Sequence, residues 1–137
     1  MKFRYKYSYN ENNGTSRCDI IYKHRCFTGR AFIHPEDRDM QSERTGAVLA
    51  QARATILVLK HIIQNELRPA LEATKRIYNN MSTSKNFRED SFEAKRLRLE
   101  IRRLENELAT TKEQLVGEEQ GIKEYIEIKE RLYQRIR

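Results

Sequence analysis

Residues 29–53, GRAFIHPEDRDMQSERTGAVLAQAR, hold the densest run of side chains able to do chemistry. His34 is followed closely by Glu36, Asp37 and Asp39, with Arg30, Glu43 and Arg44 on either side. An imidazole beside carboxylates is the material of general acid–base catalysis. Asp37 and Asp39 also offer oxygens of the kind a hard cation takes. Neither chemistry is completed nearby, because no nucleophile and no second histidine accompanies His34. A simpler account is a helix start: Pro35 suits a first helical position, and acids are favoured near a helix N-terminus. Arg38 and Arg44 then pair the acids. We expect no catalytic residue here. We expect Arg30, His34, Glu36, Asp37, Asp39, Glu43 and Arg44 to form a partner-binding corner, since function concentrates in polar loops held by a rigid scaffold.

A second constellation is basic. Lys2, Arg4, Lys6, Arg17, Lys23 and Arg25, together with Arg30, give residues 1–34 a net charge of +5 out of +7 for the whole chain. Cations along a sheet can track phosphates, so nucleic-acid binding is the alternative function. The aromatic row of the first strand could stack bases if its face were open, although such a row is more often core. A third basic stretch, AKRLRLEIRR (94–103), is interleaved with Glu93, Glu100, Glu105 and Glu107. Mixed charge of that kind reads as salt bridges on a helix surface. Cys18 and Cys26 make no disulfide framework, and His24 between them lacks the partners a metal site needs. No glycine-rich phosphate loop or zinc signature occurs, so no cofactor and no metal are expected.

The elements that position these residues follow from periodicity. KFRYKYSY (2–9) alternates strictly, with Phe3, Tyr5, Tyr7 and Tyr9 on one face, which predicts a strand. NENNG (10–14) predicts a hairpin turn using Asn13-Gly14, residues 16–23 a second strand, His24-Arg25 a turn, and 26–33 a third strand. The third strand places Gly29 and Ala31 on one face and Thr28, Arg30 and Phe32 on the other. Ser42 is the expected N-cap of a long helix whose apolar stripe runs Val48, Leu49, Ala52, Ile56, Leu59, Ile63, Leu67 and Leu71, with a kink at Pro69.

After a polar linker at 82–89, heptad positions Leu97, Ile101, Leu104, Leu108, Thr111, Leu115, Ile122, Tyr125, Leu132 and Ile136 predict a coiled-coil helix. Gly117 and Gly121 leave two possibilities, a continuous helix or a helical hairpin, and the absence of Pro or Asn-Gly favours the first. The expected fold is α+β: a three-stranded antiparallel sheet packed on a long kinked helix (1–81), then a C-terminal coiled-coil helix (90–137). The heptad stripe must be covered by the first long helix or by another copy, and a homo-oligomer through the C-terminal helix is expected. No signal peptide and no apolar run long enough for a membrane are expected, hence a cytoplasmic protein.

The run FTGRAFIHPEDRDMQSERTGAVLAQARATILVLKHI resembles a pattern in small proteins from prophages and mobile elements of Gram-positive bacteria. Its positions here are Gly29, Ala31, His34, Pro35, Asp37, Asp39, Ser42, Glu43, Thr45, Gly46 and Arg53, and the resemblance covers about residues 1–80. It implies a non-enzymatic protein that binds and inhibits a host protein complex in the host cytoplasm. Anti-CRISPR proteins directed at a nucleic-acid-guided nuclease are one such class.

Overall fold

The computed structural model describes the backbone of residues 3–32 and 42–136, and the side chains of 3–32 and 44–128. The order is β1 (Arg4–Asn10), β2 (Thr15–Tyr22), β3 (Arg25–Phe32), α1 (Ser42–Ile62), a π-helical turn (Ile63–Leu67), α2 (Arg68–Ser82) and α3 (Phe92–Ile136). The fold is α+β, a three-stranded antiparallel sheet in the order β1-β2-β3 followed by long helices. Two compact units result, residues 1–59 with 115–137, and residues 60–114.

In the first unit the sheet has two chemically distinct faces, set by the period-two alternation of its strands. One face turns Cys18, Ile20 and Ala31 inward, all essentially inaccessible. It lies against α1 at Gly29, where a Cβ would collide with the backbone of Ala50 and Ala54. Only glycine permits that approach. The helix answers with small residues at helical spacing, buried Gly46, Ala50 and Ala54, and then Val58. Val48, expected in the apolar stripe, is instead 53% exposed. The contact line with the sheet follows close backbone packing, whereas Leu59, Ile63, Leu67 and Leu71 of the expected stripe are buried. Tyr7 Oη donates to Gln51 Oε1 at 2.5 Å, and Arg53 Nη1 donates to the Arg30 carbonyl at 2.7 Å. The second bond occupies an acceptor on edge strand β3.

Both hairpins depart from the expected turns. At the first, residues 11–14 form a four-residue loop in which only Gly14 has positive φ (67°), and its N–H donates to the Asn10 carbonyl. Asn10 and Asn13 side chains accept from the backbone of Asn12 and Thr15 at 3.0 Å, closing Asx turns. At the second, the turn residues are Lys23 and His24, one position earlier than expected, with φ of 46° and 67°. A two-residue hairpin loop needs positive φ at both positions to match strand twist, whichever residues occupy them. Lys and His resist that conformation. The double substitution Lys23→Asn/His24→Gly is therefore expected to stabilise the protein by about 1 kcal/mol. The check is a rise in urea midpoint at unchanged slope.

In the second unit, Pro69 does not break the helix. The preceding residues widen into the π turn, in which the Arg68 N–H reaches back to the Ile63 carbonyl. Such a bulge accommodates the missing proline donor without ending the helix. Asn65 Nδ2 also donates to the His61 carbonyl at 3.3 Å and lies 3.1 Å from His61 Nδ1. Ser91 caps α3, its Oγ accepting from the Ala94 N–H at 3.2 Å. Of the expected heptad positions Leu104 and Thr111 are buried, as is Ala94 one turn before Leu97, while Leu97, Ile101 and Leu108 are half-buried. Arg98 bridges α3, α2 and the intervening turn, donating to Tyr78 Oη at 3.2 Å and to the Glu89 carbonyl at 2.6 Å. α3 runs unbroken through Gly117 and Gly121.

The sequence predicts no apolar run long enough for a membrane. The helical stretch Arg44–Ser82 contains an 18-residue window of mean hydropathy 1.4, long and apolar enough to cross a membrane by length and composition. Half of that window is buried inside the protein, so much of its apolar surface serves internal packing.

Candidate functional site

The outer face of the sheet, opposite α1, carries the exposed chemistry of the first unit. The strand register sets its rows: Arg4, Ile21 and Cys26; Lys6, Asp19 and Thr28; Ser8, Arg17 and Arg30; Asn10, Thr15 and Phe32. Arg4, Lys6, Arg17 and Arg30 are all exposed, so four cations share one open surface.

A single acid sits among them. Asp19 Oδ1 accepts from Thr28 Oγ1 at 2.6 Å and from Arg17 Nε at 2.9 Å. The Thr28 hydroxyl first, and then the Arg17 guanidinium, hold this carboxyl below the usual carboxylate range. Arg17 is raised in turn by the same bond. Asp19 thus orders Arg17 and offsets part of its charge. Toward the first hairpin, Ser8, Asn10, Asn12, Asn13, Arg17 and Arg30 line a polar basin, to which Glu11 contributes a second carboxylate.

Of the residues expected to bind nucleic acid, the structure brings Arg4, Lys6 and Arg17 together and adds Arg30. Lys23 is at the hairpin apex with its Nζ 5.4 Å from the Tyr22 ring centroid. Arg25 pairs with Tyr22, shares the parity of Phe27 and lies 5.8 Å from that ring, so it belongs to the other face. Lys2 lies outside the described residues. Of the expected corner, Arg30 and Arg44 are exposed. His34, Glu36, Asp37 and Asp39, and the side chain of Glu43, lie outside the described residues. Among the described residues no three His, Cys, Asp or Glu side chains cluster as a metal site. Cys18 is buried on the helix side, where burial pushes its thiol up, and Cys26 is exposed on the outer face.

Protein-family models, curated proteins and solved structures all return no match to this chain.

The surface is exposed, and its cations are carried on paired strands. Three of its residues are invisible to motif reading: Asp19, Thr28 and Phe32. Asp19 and Thr28 meet only through cross-strand register, whose one sequence hint is the same-face spacing of Arg17 and Asp19. Phe32 is legible by parity, since it alternates with Ala31 and joins Thr28 and Arg30.

The Asp19 cluster has a pH signature. A carboxyl depressed in the folded state stabilises the fold above its ordinary pKa, and that contribution is lost as pH falls toward the folded value. Asp19→Asn is therefore expected to reduce the loss of stability between neutral and acid pH. It also leaves Arg17 unopposed, so anion affinity rises several-fold at low salt. Urea midpoints at pH 7 and pH 3, and one binding titration, check both.

Proposed function

We propose that this chain is a non-enzymatic binding protein whose outer sheet face docks the phosphate backbone of a nucleic acid. The observation that carries the reading is the exposed quartet Arg4, Lys6, Arg17 and Arg30 on one side of a rigid sheet. A phosphate chain matches such a surface because each neutralised phosphate releases counterions. Ser8, Asn10, Asn12 and Asn13 supply uncharged polar groups beside the cations. Contacts of this kind position a backbone without reading sequence. The mixed-charge helix supports this choice of surface: Arg103 donates to both Glu100 and Glu107, and Arg98 is spent on the turn.

The test is fluorescence anisotropy with a labelled mixed-sequence oligonucleotide at low salt. Saturable binding is expected, and Arg17→Glu/Arg30→Glu abolishes it. Absence of a complex with the unaltered protein contradicts the proposal.

A second reading is inhibition of a host protein complex, which the prophage resemblance implies. The observation favouring it is Ile21, 63% exposed between Arg4 and Cys26 on the same face. A phosphate backbone leaves an isoleucine uncovered, whereas a protein interface buries it. Pull-down from host cells with and without nuclease treatment separates the two: nuclease removes a nucleic-acid-bridged capture and spares a direct protein partner.

A further inference from the structure

Besides Ile21, the outer face carries an exposed aromatic ring that a phosphate backbone does not use. Phe32 closes β3 on that face, opposite Thr15 and next but one to Arg30, and is 63% exposed. Same-face neighbours on a strand stand about 6.6 Å apart. Phe32 and Arg30 are therefore same-face neighbours at the basin end of the sheet. The aromatic row expected to stack bases is on the other face: Tyr5 and Tyr9 are half-buried there, and Tyr7 is bonded to Gln51 on α1. Phe32 has no aromatic partner among the ring contacts of the described residues.

We infer that this face takes single-stranded nucleic acid in preference to duplex, with one unpaired base stacked on Phe32 and its adjoining phosphate held by Arg30 and Arg17. The inference rests on the nucleic-acid reading above and specifies its ligand. Its physical basis is access to the base. Within a duplex each base face is covered by its neighbours, so an exposed protein ring gains nothing from it. An unpaired base offers a free π-face, and stacking on an aromatic side chain is tolerant of sequence. The polar basin of Ser8, Asn10, Glu11, Asn12 and Asn13 lies on the side of the sugar and base edges, where the Glu11 carboxylate can meet only hydrogen-bond donors of the nucleotide and not its phosphate. Arg4 and Lys6, toward the far end of the sheet, extend the charged track beyond the stacking site.

The experiment compares one labelled 20-nucleotide single strand with its duplex, using the full chain at fixed low salt. The unaltered protein is expected to bind the single strand about ten-fold or more tightly than the duplex. Phe32→Ala lowers single-strand affinity by about ten-fold and leaves duplex affinity unchanged. Phe32→Trp keeps or improves single-strand binding, which separates loss of the ring from loss of fold. Equal affinity for both forms, or a Phe32→Ala variant that binds the single strand normally, overturns the inference. In that event charge reversal at Arg17 and Arg30 still abolishes binding if the broader reading holds. Failure to bind either form at all removes both.

Discussion

Gly29→Ala is expected to abolish the folded state of the sheet and α1. The added methyl has nowhere to go, because it would overlap the carbonyl of Ala50 and the amide of Ala54. These are backbone atoms of a helix interior, so no side-chain rotamer relieves the clash. The helix must lift off the sheet, which uncovers Cys18, Ile20 and Ala31, and Val58 opposite them. Overpacking of a core by one methyl costs about 1–3 kcal/mol where side chains can adjust. With rigid backbone on both sides the loss is expected to exceed about 3 kcal/mol, a large part of a typical domain's stability. Circular dichroism and urea unfolding of Gly29→Ala beside Ala31→Gly provide the comparison. The second variant removes volume at a neighbouring core position without creating a clash, and should be folded but weaker.

The second large effect is functional. Arg17→Glu/Arg30→Glu reverses two of the four outer-face cations, and these two are cross-strand neighbours. Each reversal removes one phosphate contact and adds a repulsive charge. Asp19 then loses its guanidinium and joins the new glutamate in repelling phosphate. The double variant is expected to lower affinity by at least about 100-fold at low salt, since each cation–phosphate contact contributes measurably to binding. Both arginines are exposed, so the fold should survive, with a cooperative urea transition whose midpoint is only modestly lowered by loss of the Arg17–Asp19 pair.

How much of this is legible in the chain differs from element to element. Strict alternation in 2–9 specifies the first strand and its faces, and parity along 26–33 assigns the faces of the third, because side-chain direction in a strand depends only on parity. Parity alone therefore assigns Arg4, Lys6, Arg17 and Arg30 to one surface, and the strand register agrees. The second turn is not legible. Lys23 and His24 carry no preference for positive φ, and the loop is imposed by strand pairing on either side. The one-residue displacement brings Arg25 into β3, where its parity with Phe27 puts it on the helix-side face. The helix–sheet contact departs from the hydropathy stripe for a related reason. Large apolar residues dominate such a stripe, while the approach at Gly29 selects alanines. The Gly-x-Ala step of the motif is explained by that approach, and Arg53 by its bond to the Arg30 carbonyl. Pro69 signals an interruption correctly, but sequence does not distinguish a kink from the π turn that forms at Ile63–Leu67.

The measurement that bears most directly on the proposed function is the salt dependence of binding. Affinity for a labelled single strand is measured across a series of salt concentrations for the unaltered protein and for Arg17→Glu/Arg30→Glu. With four cations engaged, the slope of log affinity against log salt is expected to be about −3. The double variant should show no complex, or a slope near zero. A slope near zero for the unaltered protein, or binding that survives the double reversal, would contradict docking of a phosphate backbone on the outer face of the sheet.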